Sequence, residues 1–286
     1  MTQRLHLPNV TLFVTAGPDL ELTLESFERC LKTVDFGGKI FFSEGPKEKI
    51  PYYLDYVVPI QPTGSAQNSG IHYFRTLPEM LKTSHILTVD WDAGIVDPDC
   101  WTDEFLEYDY IGARWPWLPT GKNIGNSGFC LMSKKLMETV ARFDLKSDGI
   151  MDADIGQKWR PNLEMAGFKF PSEALADRFA YERAVPNAPT FGYHGFFNMH
   201  RHMSDANMML LVTKLSDSSV KGVHYLELML TYVALRKFPV FFAMYKRMMM
   251  VDTADDFRKR FTSMGGIDTG VTMFLSEMCD LAEKQK

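Results

Sequence analysis

Asp90 and Asp92 are separated by a single residue and follow directly on Ile86-Leu87-Thr88-Val89. A short apolar, β-branched run of this kind reads as a buried strand, which should give way to polar residues where it reaches the edge of its sheet. Two carboxylates at such an edge form a dense patch of negative oxygen. That patch suits a hard divalent cation and, through the cation, a diphosphate. Two solvated carboxylates at a strand end are the plain alternative, and the spacing alone leaves both readings open.

Four further groups have chemistry within reach. Gly125-Asn126-Ser127-Gly128-Phe129 sets two glycines around an amide and a hydroxyl, so the backbone can approach a ligand closely. The same residues are also good turn formers. Asp152-Ala153-Asp154 opens a helical pattern. Its acids serve there as caps that complement the helix dipole, or as a base that takes the proton of a hydroxyl nucleophile. Trp115 and Trp117 in the segment 114–126 offer a stacking platform for a ring, or a hydrophobic lid over a sheet edge. His194, in a Gly- and aromatic-rich segment, is a structural histidine or a ligand.

These groups need a scaffold. Strands are expected at Val10–Thr15, Lys39–Phe42, Tyr56–Ile60, Ile86–Val89, Tyr108–Gly112 and Gly128–Met132. Helices are expected at Thr23–Thr33 with Thr23 as N-cap, at Gly70–Lys82 despite Pro78, at Lys134–Phe143 and at Asp152–Ala166. Strands that alternate with helices imply an α/β fold with a mixed, mostly parallel sheet flanked by helices. From Asp205 onward the chain turns dense in Leu, Met, Tyr and Phe with few turn signals, including Val271–Lys284, so a C-terminal α-helical subdomain is expected at 205–286 after a domain at 1–204.

The chain has 286 residues, 45% of them hydrophobic and 23% charged, which allows a sizeable core. Residues 1–200 hold 19 basic and 26 acidic side chains, against 12 and 10 in 201–286. An acidic main body disfavours non-specific nucleic-acid binding. Cys30, Cys100, Cys130 and Cys279 are far apart in sequence, so they form no zinc-ligand spacing and read as inert thiols of a reducing compartment. Met1–Pro8 lacks the apolar core of a signal peptide, and Phe238–Tyr245 is too short to span a bilayer. A cytoplasmic location is expected. Lys237, Lys246 and Arg247 flank the apolar Phe238–Met244, a pattern that fits core packing, a homo-oligomer interface or a helix lying peripherally on a membrane.

Taken in order, several blocks resemble a family of glycosyltransferase-A-like proteins once catalogued as a domain of unknown function. They are His85–Asp92, Trp101–Phe105, Tyr108–Trp117, Ile124–Leu131, Asp152–Asp154 and Phe191–Gly195. The resemblance covers roughly residues 10–197 and leaves out 205–286. It implies a Rossmann-like nucleotide-sugar fold whose carboxyl sheet edge binds donor and metal, in keeping with the rule for open α/β sheets. Carried over by position, it implies that Asp90, Asp92 and a late histidine, His194, hold Mn2+ or Mg2+. It places Asp154 at the base position, with Asp152 second. Donor contacts are implied at Thr15, Ala16 and Gly17 after the first strand, at Arg75, at Asp90, and at Asn126, Ser127 and Gly128.

The activity implied is metal-assisted transfer of a hexose or pentose from a nucleotide-diphosphate donor to an acceptor hydroxyl. A glycan, a lipid-linked glycan, a protein or a modified nucleobase all remain open as acceptor. A nucleotidyltransferase would also use a metal-bound acid pair, but it needs a Gly-rich basic loop after the first strand, and Thr15–Asp19 carries no basic residue. A non-catalytic sugar-nucleotide binding module is the third reading.

Overall fold

The computed structural model describes residues 4–44, 50, 54–60, 69–142 and 151–264, together with individual residues between 273 and 284. Cys279 and most of the helix expected at Val271–Lys284 lie outside the described residues, as does the side chain of Arg75. The chain forms two compact units, Met1–Gly195 and Phe196–Lys286.

In chain order the first unit contains β1 (Leu5–Ala16), α1 (Leu20–Thr33), β2 (Val34–Ser43), β3 (Tyr56–Pro59), α2 (Ser69–Met80), β4 (His85–Val89), β5 (Gly94–Ile95), β6 (Tyr110–Ile111), β7 (Phe129–Ser133), α3 (Lys134–Arg142), α4 (Met151–Ala153), α5 (Arg160–Met165), α6 (Glu173–Phe179), β8 (Ala180–Tyr181) and β9 (Gly192–Tyr193). The main sheet has the order β3-β2-β1-β4-β7-β6. Its first four strands are parallel, while β7 runs antiparallel to both β4 and β6. The protein is therefore mixed α/β with a mostly parallel sheet.

Alternate residues of each strand feed opposite faces, as the two-residue repeat of a strand requires. Leu12, Val14, Leu87 and Val89 join Phe27, Cys30, Leu175 and Phe179 on one side. Phe13, Ile86, Cys130 and Met132 join Phe74, Leu77, Leu136, Met137 and Leu163 on the other. Both faces are covered by helices, which explains why all five residues of β4 are buried.

Several boundaries differ from the expectation. β1 begins five residues early and carries a register irregularity between Leu7 and Thr11, where Pro8 lacks an N–H for the ladder. The helix expected from Thr23 starts at Leu20, because the Thr23 Oγ1 donates to the carbonyl of Asp19 instead of capping the helix. The helix expected over Asp152–Ala166 is broken into α4, a π-helical turn at Asp154–Lys158 and α5. Pro161 sits in the first turn of α5; it has no N–H to continue a preceding helix. The Trp159 N–H reaches back five residues to the Asp154 carbonyl.

The second unit is helical: α7 (Asp205–Lys214), α8 (Asp217–Val220), α9 (Val223–Ala234), α10 (Phe238–Met248) and α11 (Ala254–Ser263). Ser204, Ser216 and Thr253 cap α7, α8 and α11 through their side-chain oxygens. Phe241, Met244, Tyr245 and Met248 of α10 are buried, and the buried Tyr225 hydroxyl donates to the Met244 carbonyl at 2.8 Å. Lys237 donates to Asp205 at 2.8 Å, and Arg247 to Asp217 and to the Leu215 carbonyl, each at 2.7 Å. The apolar stretch is thus core, with two of its flanking cations bonded within the unit. Among the described residues no helix is long and apolar enough to cross a membrane.

Candidate metal and transfer site

β4 stops at Val89, and the chain turns at once: the Asp90 N–H donates to the Gly128 carbonyl at 2.7 Å and the Ala93 N–H to the Asp90 carbonyl at 3.1 Å. Asp90-Trp91-Asp92 is therefore a turn rather than the end of a regular strand, and its curvature lets both carboxylates reach one point. The chain then enters β5, which pairs antiparallel with β9, Gly94 opposite Tyr193. The Gly195 N–H closes this junction on the Asp92 carbonyl at 3.1 Å. A small second sheet, β5-β9-β8, thereby carries His194 against the carboxylates.

His194 Nε2 lies 3.5 Å from Asp92 Oδ1 and 3.9 Å from Asp90 Oδ2. One ligand atom from each of the three residues falls within 4.8 Å of the others. β8 runs parallel to β9 with Tyr181 opposite Tyr193, so the next residue along, Glu182, stands beside His194. Its Oε1 is 3.2 Å from His194 Nδ1, and its Oε2 accepts the Trp115 indole N–H at 3.0 Å. An ionised Glu182 accepts a hydrogen bond from Nδ1–H, so that the neutral imidazole a cation would bind presents its Nε2 lone pair to Asp90 and Asp92. A carboxylate behind a ligating histidine is the usual way to set that tautomer.

Asn126 completes the ring around the histidine. It sits at φ 71°, a left-handed conformation that asparagine tolerates better than most residues. Its Oδ1 accepts the N–H groups of Gly128 and Phe129 at 2.9 and 3.1 Å, and its Nδ2 donates to Glu182 beside the imidazole. The loop is pinned from below: Thr88 Oγ1 donates to the Ser127 carbonyl at 2.6 Å, and the Tyr110 hydroxyl to the Asn126 carbonyl at 3.2 Å. Gly128 must be glycine here. A Cβ would overlap the His194 ring and come within 2.9 Å of Asp90 Oδ2, filling the space between the three ligands.

Electrostatically the cluster is short of positive charge. Burial pushes the Asp90 carboxyl up to about 6, with His194 opposing and Asp92 and Asp152 adding repulsion. About half of its side chain still meets solvent, so this recessed group stays accessible. Burial also raises Asp152, against the pull of the Ala153 and Ser127 N–H groups. For Glu182 burial would raise the pKa, but hydrogen bonds from His194, Asn126 and Trp115 hold it below the usual range. Burial likewise opposes a charge on His194, yet Asp92 and Glu182 overcome it and lift the imidazole well above its ordinary value. Four carboxylates around one imidazole fit a divalent cation, which supplies the charge they lack. The three residues offer such a cation one imidazole nitrogen and two carboxylate oxygens.

The other expected residues divide. Thr15-Ala16-Gly17 lies at the carboxyl end of β1, next to β4, and the pairing of Phe13 with Thr88 puts Thr15 level with Asp90. Arg75 lies in α2. Asp152 reaches the site, its Oδ2 accepting the Ser127 N–H at 3.3 Å. Asp154 is buried two residues on. Asp152 is thus the one bonded to the Ser127 loop, and Asp154 opens the π-helical turn behind it. Glu182 carries no signal in the sequence, being a lone acid after a short extended piece. Its role arises only when β8 and β9 pair. Glu182→Gln should lower Mn2+ affinity by about 10–100-fold with the fold retained, as isothermal calorimetry can measure. Unchanged affinity would remove Glu182 from the site's support.

A sequence family described as "Protein of unknown function (DUF5672)" matches residues 74–194. No curated protein matches the chain. Among solved structures, the chain is similar to the mannosyltransferase PcManGT from Pyrobaculum calidifontis in complex with GDP-Man and Mn2+, at 11% identity and TM-score 0.40, over 99% of this chain and 86% of that one. It is similar to the glycosyltransferase GlyE of Streptococcus pneumoniae at 12% identity and TM-score 0.37, over 66% of this chain and 54% of that one. A third is 2-C-methyl-D-erythritol 4-phosphate cytidylyltransferase from Thermus thermophilus, at 13% identity and TM-score 0.28, over 58% and 81%.

Proposed function

We propose that the protein is a glycosyltransferase that moves a sugar from a nucleotide-diphosphate donor to an acceptor hydroxyl. The observation that carries this reading is the convergence of Asp90, Asp92 and His194 at the carboxyl edge of the sheet, with Glu182 behind the histidine. Asp90, Asp92 and His194 would hold Mn2+ or Mg2+, which when bound neutralises the charge that develops on the leaving diphosphate. The chemistry is assigned to residues 1–204, with 205–286 as a helical appendage.

The remaining work falls to the chain. Thr15, Ala16 and Gly17 receive the nucleoside beside the metal ligands, and Arg75 is the proposed cation for the diphosphate. Asn126, Ser127 and Gly128 border the sugar. As the acceptor oxygen bonds to C1 and the C1–phosphate bond breaks, the hydroxyl proton passes to Asp152. A partly buried carboxyl with a raised pKa suits that task. Such a base belongs to an inverting displacement. Asp154 supports the turn behind Asp152.

Thermal shifts with a panel of nucleotide sugars and Mn2+ test the donor. A matched donor at about 100 times its Kd should stabilise the fold by about 2.7 kcal/mol. No stabilisation by any nucleotide sugar, together with pyrophosphate release from a nucleoside triphosphate, would replace this reading with nucleotidyl transfer. Asp152→Asn should retain the donor-induced shift while transfer falls by about 100-fold or more. Near-normal turnover in that variant would point to a retaining reaction without a base.

A further inference from the structure

Arg114 and Ile124 bridge to close a hairpin beside the site. Within it the Trp115 N–H donates to the Asn123 carbonyl at 2.7 Å, the Leu118 N–H to Trp115 at 3.2 Å and the Lys122 N–H to Pro119 at 3.0 Å. Side chains fasten it to α6: Arg114 grips Asp177 with two bonds of 2.9 and 3.0 Å, and Thr120 donates to Glu173 at 2.5 Å. At the tip Trp117 is 62% exposed, although its ring stacks on Trp115, centroids 6.4 Å apart and 23° from coplanar. Trp115 is in turn bonded to Glu182, which holds His194. A largely exposed indole face thus stands on a fastened hairpin, two side chains away from His194.

We infer that the acceptor is a carbohydrate and that its ring is received on the exposed face of Trp117; the word acceptor rests on the transfer reading above. The sheet order supplies the first reason. β1 flanks β4 on one side, and β7 with β6 flanks it on the other. A donor whose nucleoside lies at Thr15–Gly17 and whose diphosphate lies at Asp90 and Asp92 extends toward the β6 side, where the chain runs into the Arg114–Ile124 hairpin. The partner of the reaction enters there.

The chemistry of the face supplies the second reason. One flat aromatic ring in a segment that also exposes Pro116 and Pro119 with Thr120, Gly121 and Lys122 matches a sugar ring, which has an apolar C–H face and a polar rim. An acyl chain needs an apolar groove, and a protein partner a broader apolar patch. A nucleobase within a nucleic acid would bring its phosphates to a body whose first 200 residues hold seven more acidic than basic side chains.

The test is a glycan array probed with the full-length wild type, Trp117→Ala and Trp117→Phe, in the presence of Mn2+ and a mixture of UDP and GDP. The wild type should retain a defined set of glycans, Trp117→Phe should keep the same set, and Trp117→Ala should lose about tenfold or more in affinity. Equal retention by Trp117→Ala, or no glycan retained by the wild type, overturns the inference. The transfer reading fails separately, if the wild type shows no Mn2+-dependent stabilisation by any nucleotide sugar.

Discussion

Asp92→Ala should abolish transfer and lower Mn2+ affinity by more than the roughly 10–100-fold that an outer-shell partner commands. The two carboxylates of the pair are not equivalent. The Asp92 side chain is 9% exposed and lies closer to His194 Nε2, whereas that of Asp90 is 49% exposed. A carboxylate withdrawn from water has lost most of its solvent screening, so its attraction for a cation is the stronger. Water can partly stand in for a truncated Asp90 but has little access to the place of Asp92. The fold should survive, because Glu182 still accepts from the imidazole and the Asp92 carbonyl still accepts from Gly195. Calorimetric titration with Mn2+ measures the loss, and circular dichroism confirms the fold. Wild-type affinity in this variant would sink the metal site, and with it the reading of the diphosphate.

Gly112→Ala should be the most damaging of the small substitutions. A Cβ there would overlap the Gly125 carbonyl oxygen and stand 2.7 Å from that of Asn126. Both obstacles are backbone, so no rotamer change relieves them. The segment 112–114 and the Gly125–Asn126 loop must move apart, which costs about 3 kcal/mol or more. For a unit of this size the Tm should fall by roughly 6–12 °C. The displaced Asn126 would no longer hold the Gly128 and Phe129 N–H groups beside His194, so Mn2+ affinity should fall as well. Differential scanning calorimetry decides the first point; a Tm within about 2 °C of wild type would mean that the two segments do not press on each other as described.

Much of the scaffold was legible because it depends on local pattern. β4 reads as a buried strand from Ile86-Leu87-Thr88-Val89, and the polar break at Asp90 marks the sheet edge. The alternation of strands and helices announces a covered, mostly parallel sheet, and the Leu- and Met-rich pattern after Asp205 announces helices. Boundaries were less legible wherever one residue's bond decided them. The hydroxyl of Thr23 turning back to Asp19 and the missing N–H of Pro161 are two such cases.

The metal ligands were legible as residue types, but their assembly is tertiary. Asp90 and Asp92 declare themselves by adjacency, since two acids one residue apart cannot be far apart in space. His194 is about a hundred residues away and meets them only because β5 pairs with β9. Glu182 meets His194 only because β8 runs parallel to β9, and nothing in its sequence neighbourhood distinguishes it from a surface acid. That Asp152 meets the Ser127 N–H follows from a break at Asp154, whose π-helical turn no local pattern announced. Sequence by itself determined which side chains were able to bind a cation and which strand would present the first two, because strand formation and adjacency are local properties. Only the tertiary structure brought His194 and Glu182 to the two carboxylates and Asp152 to the Ser127 N–H, because pairing between distant strands and long-range packing set those distances.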